Sequence, residues 1–86
     1  MKTVTLKMKK TMVGNYEYFE IKNGRKIFAK INPVRSGEAV GMFLVNIHGV
    51  GCYRESMESA KAWVIQSAED RINLFGFENK VEIVEC

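Results

Sequence analysis

The chain has 86 residues, 13 Lys/Arg against 10 Asp/Glu, one His, two Cys and a formal net charge of +3. That length suits one domain, residues 1–86, with a small core and a net stability of about 5–15 kcal/mol or less, which leaves little room for a deep enzyme cleft. No apolar run approaches the roughly 20 residues of a membrane span, and the first ten residues lack a signal peptide's apolar core, so the expected setting is the cytoplasm with no membrane partner.

The charge is unevenly spread. Residues 1–36 hold nine basic side chains (Lys2, Lys7, Lys9, Lys10, Lys22, Arg25, Lys26, Lys30, Arg35) against Glu17 and Glu20, giving +7. Residues 37–86 hold Arg54, Lys61, Arg71 and Lys80 against eight acids, giving −4. Such polarity steers association with an acidic surface or a nucleoprotein, and it also keeps a small protein soluble.

In chain order, Val4, Leu6 and Met8 alternate with Thr3, Thr5, Lys7 and Lys9, the period-2 pattern of a half-buried strand with a basic outer face. Residues 16–31 follow as two runs rich in aromatic and β-branched residues about Asn23-Gly24, a strong hairpin signal because both residues tolerate positive φ. A two-residue loop, Asn23-Gly24, would mix charge and hydrocarbon on each face. A three-residue loop, Lys22-Asn23-Gly24 with Gly24 left-handed in a G1 bulge, separates them, and is the expected register. It places Phe19, Ile21, Ile27, Ala29 and Ile31 inward. Tyr16, Tyr18, Glu20, Lys26, Phe28 and Lys30 then face outward, with Tyr18 across from Phe28, Glu20 from Lys26 and Tyr16 from Lys30.

Asn32 to Gly37 is a polar connection broken by Pro33 and Gly37, and Val40–Ile47 reads as the best covered strand. Ser56 suits a helix N-cap. Met57, Ala60, Val64, Ala68, Ile72 and Phe75 form one stripe at helical spacing, with Gly76 as the stop. Residues 80–85 read as a short last strand able to pair at an edge. The expected fold is α+β: an antiparallel sheet of four to five strands with one long helix packed on one face, in the order β-β-β-β-α-β.

The candidate binding residues are Tyr16, Tyr18, Glu20, Lys26, Phe28 and Lys30 on the outer face, with Lys7 and Lys9 of the first strand. The plainer reading of these residues is cross-strand packing on a solvated face, each pair adding a few tenths to about 1 kcal/mol. The functional reading is a recognition surface for a protein, where Tyr anchors are favoured, or for RNA or DNA, where bases stack and Lys meets phosphate. A third is self-association through an edge strand.

Catalytic, cofactor and metal signals are weak throughout. His48 and Cys52 lie four residues apart across two glycines with no orienting third group. Zinc would need His48, Cys52, Cys86 and a fourth ligand without CxxC spacing. Gly49-Val50-Gly51 is too short for a dinucleotide fingerprint and reads as a strand-to-helix connection. The two cysteines are expected to be free. Trp63 sits on the flank of the helical stripe as a boundary core residue, and the adjacent Glu69 and Asp70 do not share a helix face. No catalytic, cofactor-binding or metal-binding residue is expected, and the chain is expected not to be an enzyme.

The segment Asn23-Gly24-x-Lys26-Ile27-x-Ala29-Lys30-Ile31-x-x-Val34-x-x-Gly37-x-Ala39-Val40-Gly41, with Asn15-Tyr16 before it and Ser56-x-Glu58…Trp63 after it, resembles the central half of a small phage anti-CRISPR family that inhibits the type I-F surveillance complex. The resemblance implies a non-enzymatic inhibitor of phage or mobile-element origin, acting in the host bacterial cytoplasm to evade host defence. It would dock on the protein subunits that cradle the guide RNA and keep target DNA from pairing. Where that family carries a contact tyrosine and glutamate, this chain has Ile21 and Asn32. The segment His48–Arg54 and the tail from Gly76 also depart from it.

Overall fold

The computed structural model describes residues 2–73 and 79–85. Six strands, β1 (Lys2–Val13), β2 (Tyr16–Asn23), β3 (Lys26–Pro33), β4 (Phe43–Ile47), β5 (Val50–Arg54) and β6 (Asn79–Glu85), accompany one helix, α1 (Met57–Ile72). They form one sheet in the order β5-β4-β3-β2-β1-β6. Neighbours are antiparallel except β1 and β6, which run parallel. The α+β class and the single helix are as expected. The sheet is mixed and six-stranded, in the order β-β-β-β-β-α-β, where an antiparallel sheet of four to five strands was expected.

The extra strand is β5. Ile47 pairs with Val50 across the two-residue loop His48-Gly49, whose φ angles are +49° and +84°. Two successive left-handed residues are the signature of a type I′ turn, whose twist matches that of paired strands. The glycines read as a connection are therefore the turn and body of a hairpin. Asn46 supports it, its Oδ1 accepting the Gly49 N–H at 3.1 Å. The strand expected from Val40 begins only at Phe43. Val40 to Met42 are held in turns instead, with the Met42 N–H donating to the Ala39 carbonyl and the Val34 N–H to the Met42 carbonyl. Nor is β4 covered on both faces, since Val45 and Ile47 are buried while Asn46 between them is exposed.

Of the two long hairpins, the first has a turn with no counterpart among the expectations, and the second turns differently from expectation. β1 and β2 join through Gly14-Asn15 between the paired Val13 and Tyr16, with Gly14 at φ +62°, as at the first central position of a type II′ turn. The β2–β3 loop is Gly24-Arg25, because Asn23 pairs with Lys26. Gly24 is left-handed, at φ +65°, but the loop is neither of the two considered. The bulge lies inside β3: Lys22 pairs with Ile27 and Ile21 with Ala29, leaving Phe28 unpaired. Beyond the bulge the register differs from the expected one by an even number of residues, so Phe19, Ile21, Ala29 and Ile31 keep the core face.

That core comprises Leu6, Met8, Ile21, Ala29, Ile31, Val45, Ile47, Ala60, Val64, Ala68 and Val81. Burying each large aliphatic side chain is worth roughly 1.5–3 kcal/mol, so the common face of the strands drives closure. α1 supplies the cover. Its N-cap Ser56 accepts the Ser59 N–H at 3.1 Å, and Ala60, Val64 and Ala68 are buried, with Met57 and Ile72 packed at the margin. The small alanines let the helix lie close to the sheet. Asn73 ends it, its N–H donating to the Glu69 carbonyl. Phe75 and Gly76, the expected end of the stripe and stop, lie outside the described residues. The helix touches β6 at one edge and β4 and β5 at the other, so the sheet curls around it, and among the described residues no second layer covers its opposite face.

Candidate functional site

Alternation along each strand decides what the uncovered face carries. β1 contributes Lys7, Lys9 and Thr11, β2 contributes Tyr16, Tyr18, Glu20 and Lys22, and β3 contributes Lys30 and Asn32. Further along lie Leu44 and Asn46 of β4 and Tyr53 of β5. Six of the eight residues expected at the site, Tyr16, Tyr18, Glu20, Lys30, Lys7 and Lys9, are thus on one face.

Their pairings differ from expectation. Glu20 lies opposite Lys30 on one side and Lys9 on the other, and its Oε1 accepts the Thr11 hydroxyl at 3.0 Å. The Lys30 ammonium stands 5.6 Å from the centre of the Tyr18 ring, a cation–π geometry. The Tyr16 and Tyr18 rings are 6.1 Å apart and tilted by 31°, and the Tyr16 hydroxyl donates to Asn32 Oδ1 at 3.1 Å. The aromatics are thereby braced in position.

Two expected residues leave the face, both because of the bulge. Lys26 pairs with Asn23 at the hairpin tip, and the alternation of β2 puts Asn23 on the same side as the buried Ile21. Phe28, the unpaired residue, packs against the core and meets the His48 ring edge-on at 5.4 Å and 87°. Neither crosses to Glu20 or Tyr18. Ile27 takes the vacated place on the open face opposite Lys22 and is 44% exposed. Packing Phe28 rather than Ile27 against the core sets the larger apolar side chain, half-buried, at its margin.

Electrostatically the face is basic and incompletely balanced. Lys7 lies directly opposite Lys22. Their other lateral partners are Val84 for Lys7 and Ile27 for Lys22, so neither has an acid directly opposite it, while Glu20 and Glu82 are diagonal neighbours of Lys7. Like charges so placed oppose the pairing of the strands. The only ion pairs among the described residues, Lys10 with Glu17 and Lys61 with Glu85, lie elsewhere. Lys22, Tyr53, Leu44 and Asn46 were missed in the sequence. Lys22 falls in the loop of the expected register, Leu44 and Asn46 lie in the expected strand Val40–Ile47 without an assigned face, and Tyr53 depends on recognising β5, for which His48-Gly49 between apolar runs is the available signal.

Away from this face, Trp63 is 37% exposed, with the Arg54 guanidinium 5.2 Å from its ring centre. An open groove of about 270 Å³ between α1 and the β4–β5 hairpin is lined by Ile47, Val50, Trp63, Ser67, Asp70 and Arg71. No cluster of three or more His, Cys, Asp or Glu able to hold a metal ion is present among the described residues. Cys86 lies outside them. No described helix is long and apolar enough to cross a membrane.

Fold and site together define a small α+β protein whose curled sheet is closed by a helix on one side and presents lysines and tyrosines on the other. No family model, curated protein or solved structure matches the chain.

Proposed function

We propose that the chain is a non-enzymatic binding protein that docks its open sheet face on an acidic partner surface. The observation that carries this reading is Lys7 set opposite Lys22 with no acid directly opposite either, beside the braced Tyr16 and Tyr18. The like-charge pair opposes strand pairing in the free protein, and an arriving anionic group relieves it. Preformed tyrosines add apolar contact at low ordering cost.

The preferred partner is a protein. Glu20 stands in the middle of the patch and repels a continuous phosphate backbone, and the Tyr18 ring is already engaged by Lys30. The anti-CRISPR resemblance supplies the particular candidate: a phage or mobile-element inhibitor that sits on a guide-RNA-loaded bacterial CRISPR complex and bars target nucleic acid from it. Direct RNA or DNA binding is the second reading, favoured by the same unbalanced lysines.

The test uses purified type I-F surveillance complex, wild-type protein and the variant Tyr18→Ala/Lys22→Glu. The wild type is expected to bind and to abolish target-DNA capture, and the variant to lose at least tenfold in affinity. Equal binding by both would refute the surface, and no binding by either would refute the partner. Titration with a single-stranded oligonucleotide decides the second reading, whose affinity must fall log-linearly with salt.

A further inference from the structure

The two edges of the sheet are finished in opposite ways. At β6, side chains of α1 occupy the backbone: Glu69 Oε2 accepts the Val81 N–H at 3.1 Å, and Asn73 accepts the Asn79 N–H at 2.9 Å while donating to its carbonyl at 3.3 Å. At β5 the type I′ turn directs the Val50 N–H back to Ile47, so by strand alternation the N–H and C=O groups of Gly51 and Tyr53 point away from β4. Among the described residues they meet only the Cys52 thiol, a weak donor 3.8 Å from the Tyr53 carbonyl. Exposed apolar side chains gather at this same edge, Val50 at 69% and Tyr53 at 54%, beside the groove that Trp63 lines. An unpaired edge with such a margin is a template for another strand.

We propose that β5 pairs antiparallel with β5 of a second copy of this chain, about a twofold axis through Cys52. The strand is complementary to itself in that register. Gly51 falls opposite Tyr53 of the second copy and Tyr53 opposite its Gly51, so all the outward backbone groups of both residues are satisfied reciprocally. Each Tyr53 ring lies over a glycine, beside the Leu44 side chain whose Cδ1 stands 3.3 Å from where a Cβ at Gly51 would be. On the other face Arg54 of the second copy falls opposite Val50, at the groove that Asp70 and Arg71 line. Cys52 falls opposite Cys52 of the second copy at a non-hydrogen-bonded position, where Cα atoms approach to about 4.5 Å, within disulfide range. The helices then share one side of a continuous sheet and the open faces, with Tyr53 at their margin, share the other, so Lys7, Lys22, Tyr16 and Tyr18 of the binding reading lie outside the interface.

The test uses the full chain carrying Cys86→Ser, so that Cys52 is the sole thiol. Sedimentation from micromolar to millimolar concentration is expected to show a monomer passing to a dimer. Diamide is expected to link the dimer covalently: two thiols form one S–S bond, and their two protons and two electrons reduce the diazene to the hydrazine. Tyr53→Pro removes an outward N–H that β4 does not use, and is expected to remain folded by circular dichroism and monomeric throughout. A monomer at every concentration overturns the proposal. So does a dimer that diamide fails to link through Cys52, whatever the behaviour of the proline variant.

Discussion

The two faces of the central strands are built from alternate residues of the same segments, yet they answer to different demands. Leu6, Met8, Ile21, Ala29 and Ile31 point to the helix and are buried. Their immediate neighbours Lys7, Lys9, Glu20, Lys22 and Lys30 point away, and carry a like-charge pair that a face selected for stability alone would not keep. The hydrogen-bond ladder is common to both, so the difference lies wholly in side chains. One face holds the fold together, and the other is free to be chosen for what it meets.

This contrast is open to attack by substitution. The largest effect is expected from Ile31→Ala, which opens a cavity in the wholly buried centre; chemical denaturation should show a loss of about 2–5 kcal/mol. A loss below about 1 kcal/mol would mean that the core collapses around the gap and that the helix-side face is less tightly packed than it looks. Next comes Glu69→Ala. It strips the Val81 N–H of its carboxylate partner and should cost about 1–2 kcal/mol, with amide exchange at Val81 accelerated. Ser56→Ala removes the helix N-cap and should cost about 1 kcal/mol by the same denaturation measurement.

The smallest expected effect has the opposite sign. Lys22→Glu turns the Lys7–Lys22 pair into an attractive one and should stabilise the free protein by a few tenths to about 1 kcal/mol at low salt, the gain shrinking as salt rises. A neutral or destabilising result would show that the open face is already balanced, and would remove the observation on which its binding role rests.

Much of the core face was legible because alternation is a local property. The inward set from Leu6 to Ile31, except Ile27, survived a wrong loop and a missed bulge, since the register error beyond the bulge was even. Ser56 and the stripe Met57, Ala60, Val64, Ala68 and Ile72 were legible for the same reason: caps and helical periodicity are read within a few residues. The binding face was only partly so. Phe28 and Lys26 were misplaced because a bulge is invisible in the pattern on either side of it, and here it is favoured by the room for Phe28 between the core and His48. Gly14-Asn15 and His48-Gly49 carried turn signals that were readable, but without β5 the second had no strand to join.

By itself, then, the sequence determined which side of β1, of β2 and of β3 beyond its bulge is apolar, where the helix starts, and that basic charge gathers in the first three strands. Tertiary structure alone decided that β6 pairs parallel with β1 from the far end of the chain, that Glu69 and Asn73 close that edge, and that β5 is left open. The physical reason is one of range. Periodicity and capping are set by neighbours a turn or a pleat away, whereas strand partners and edges are settled by competition among distant segments for the same hydrogen bonds and the same buried area.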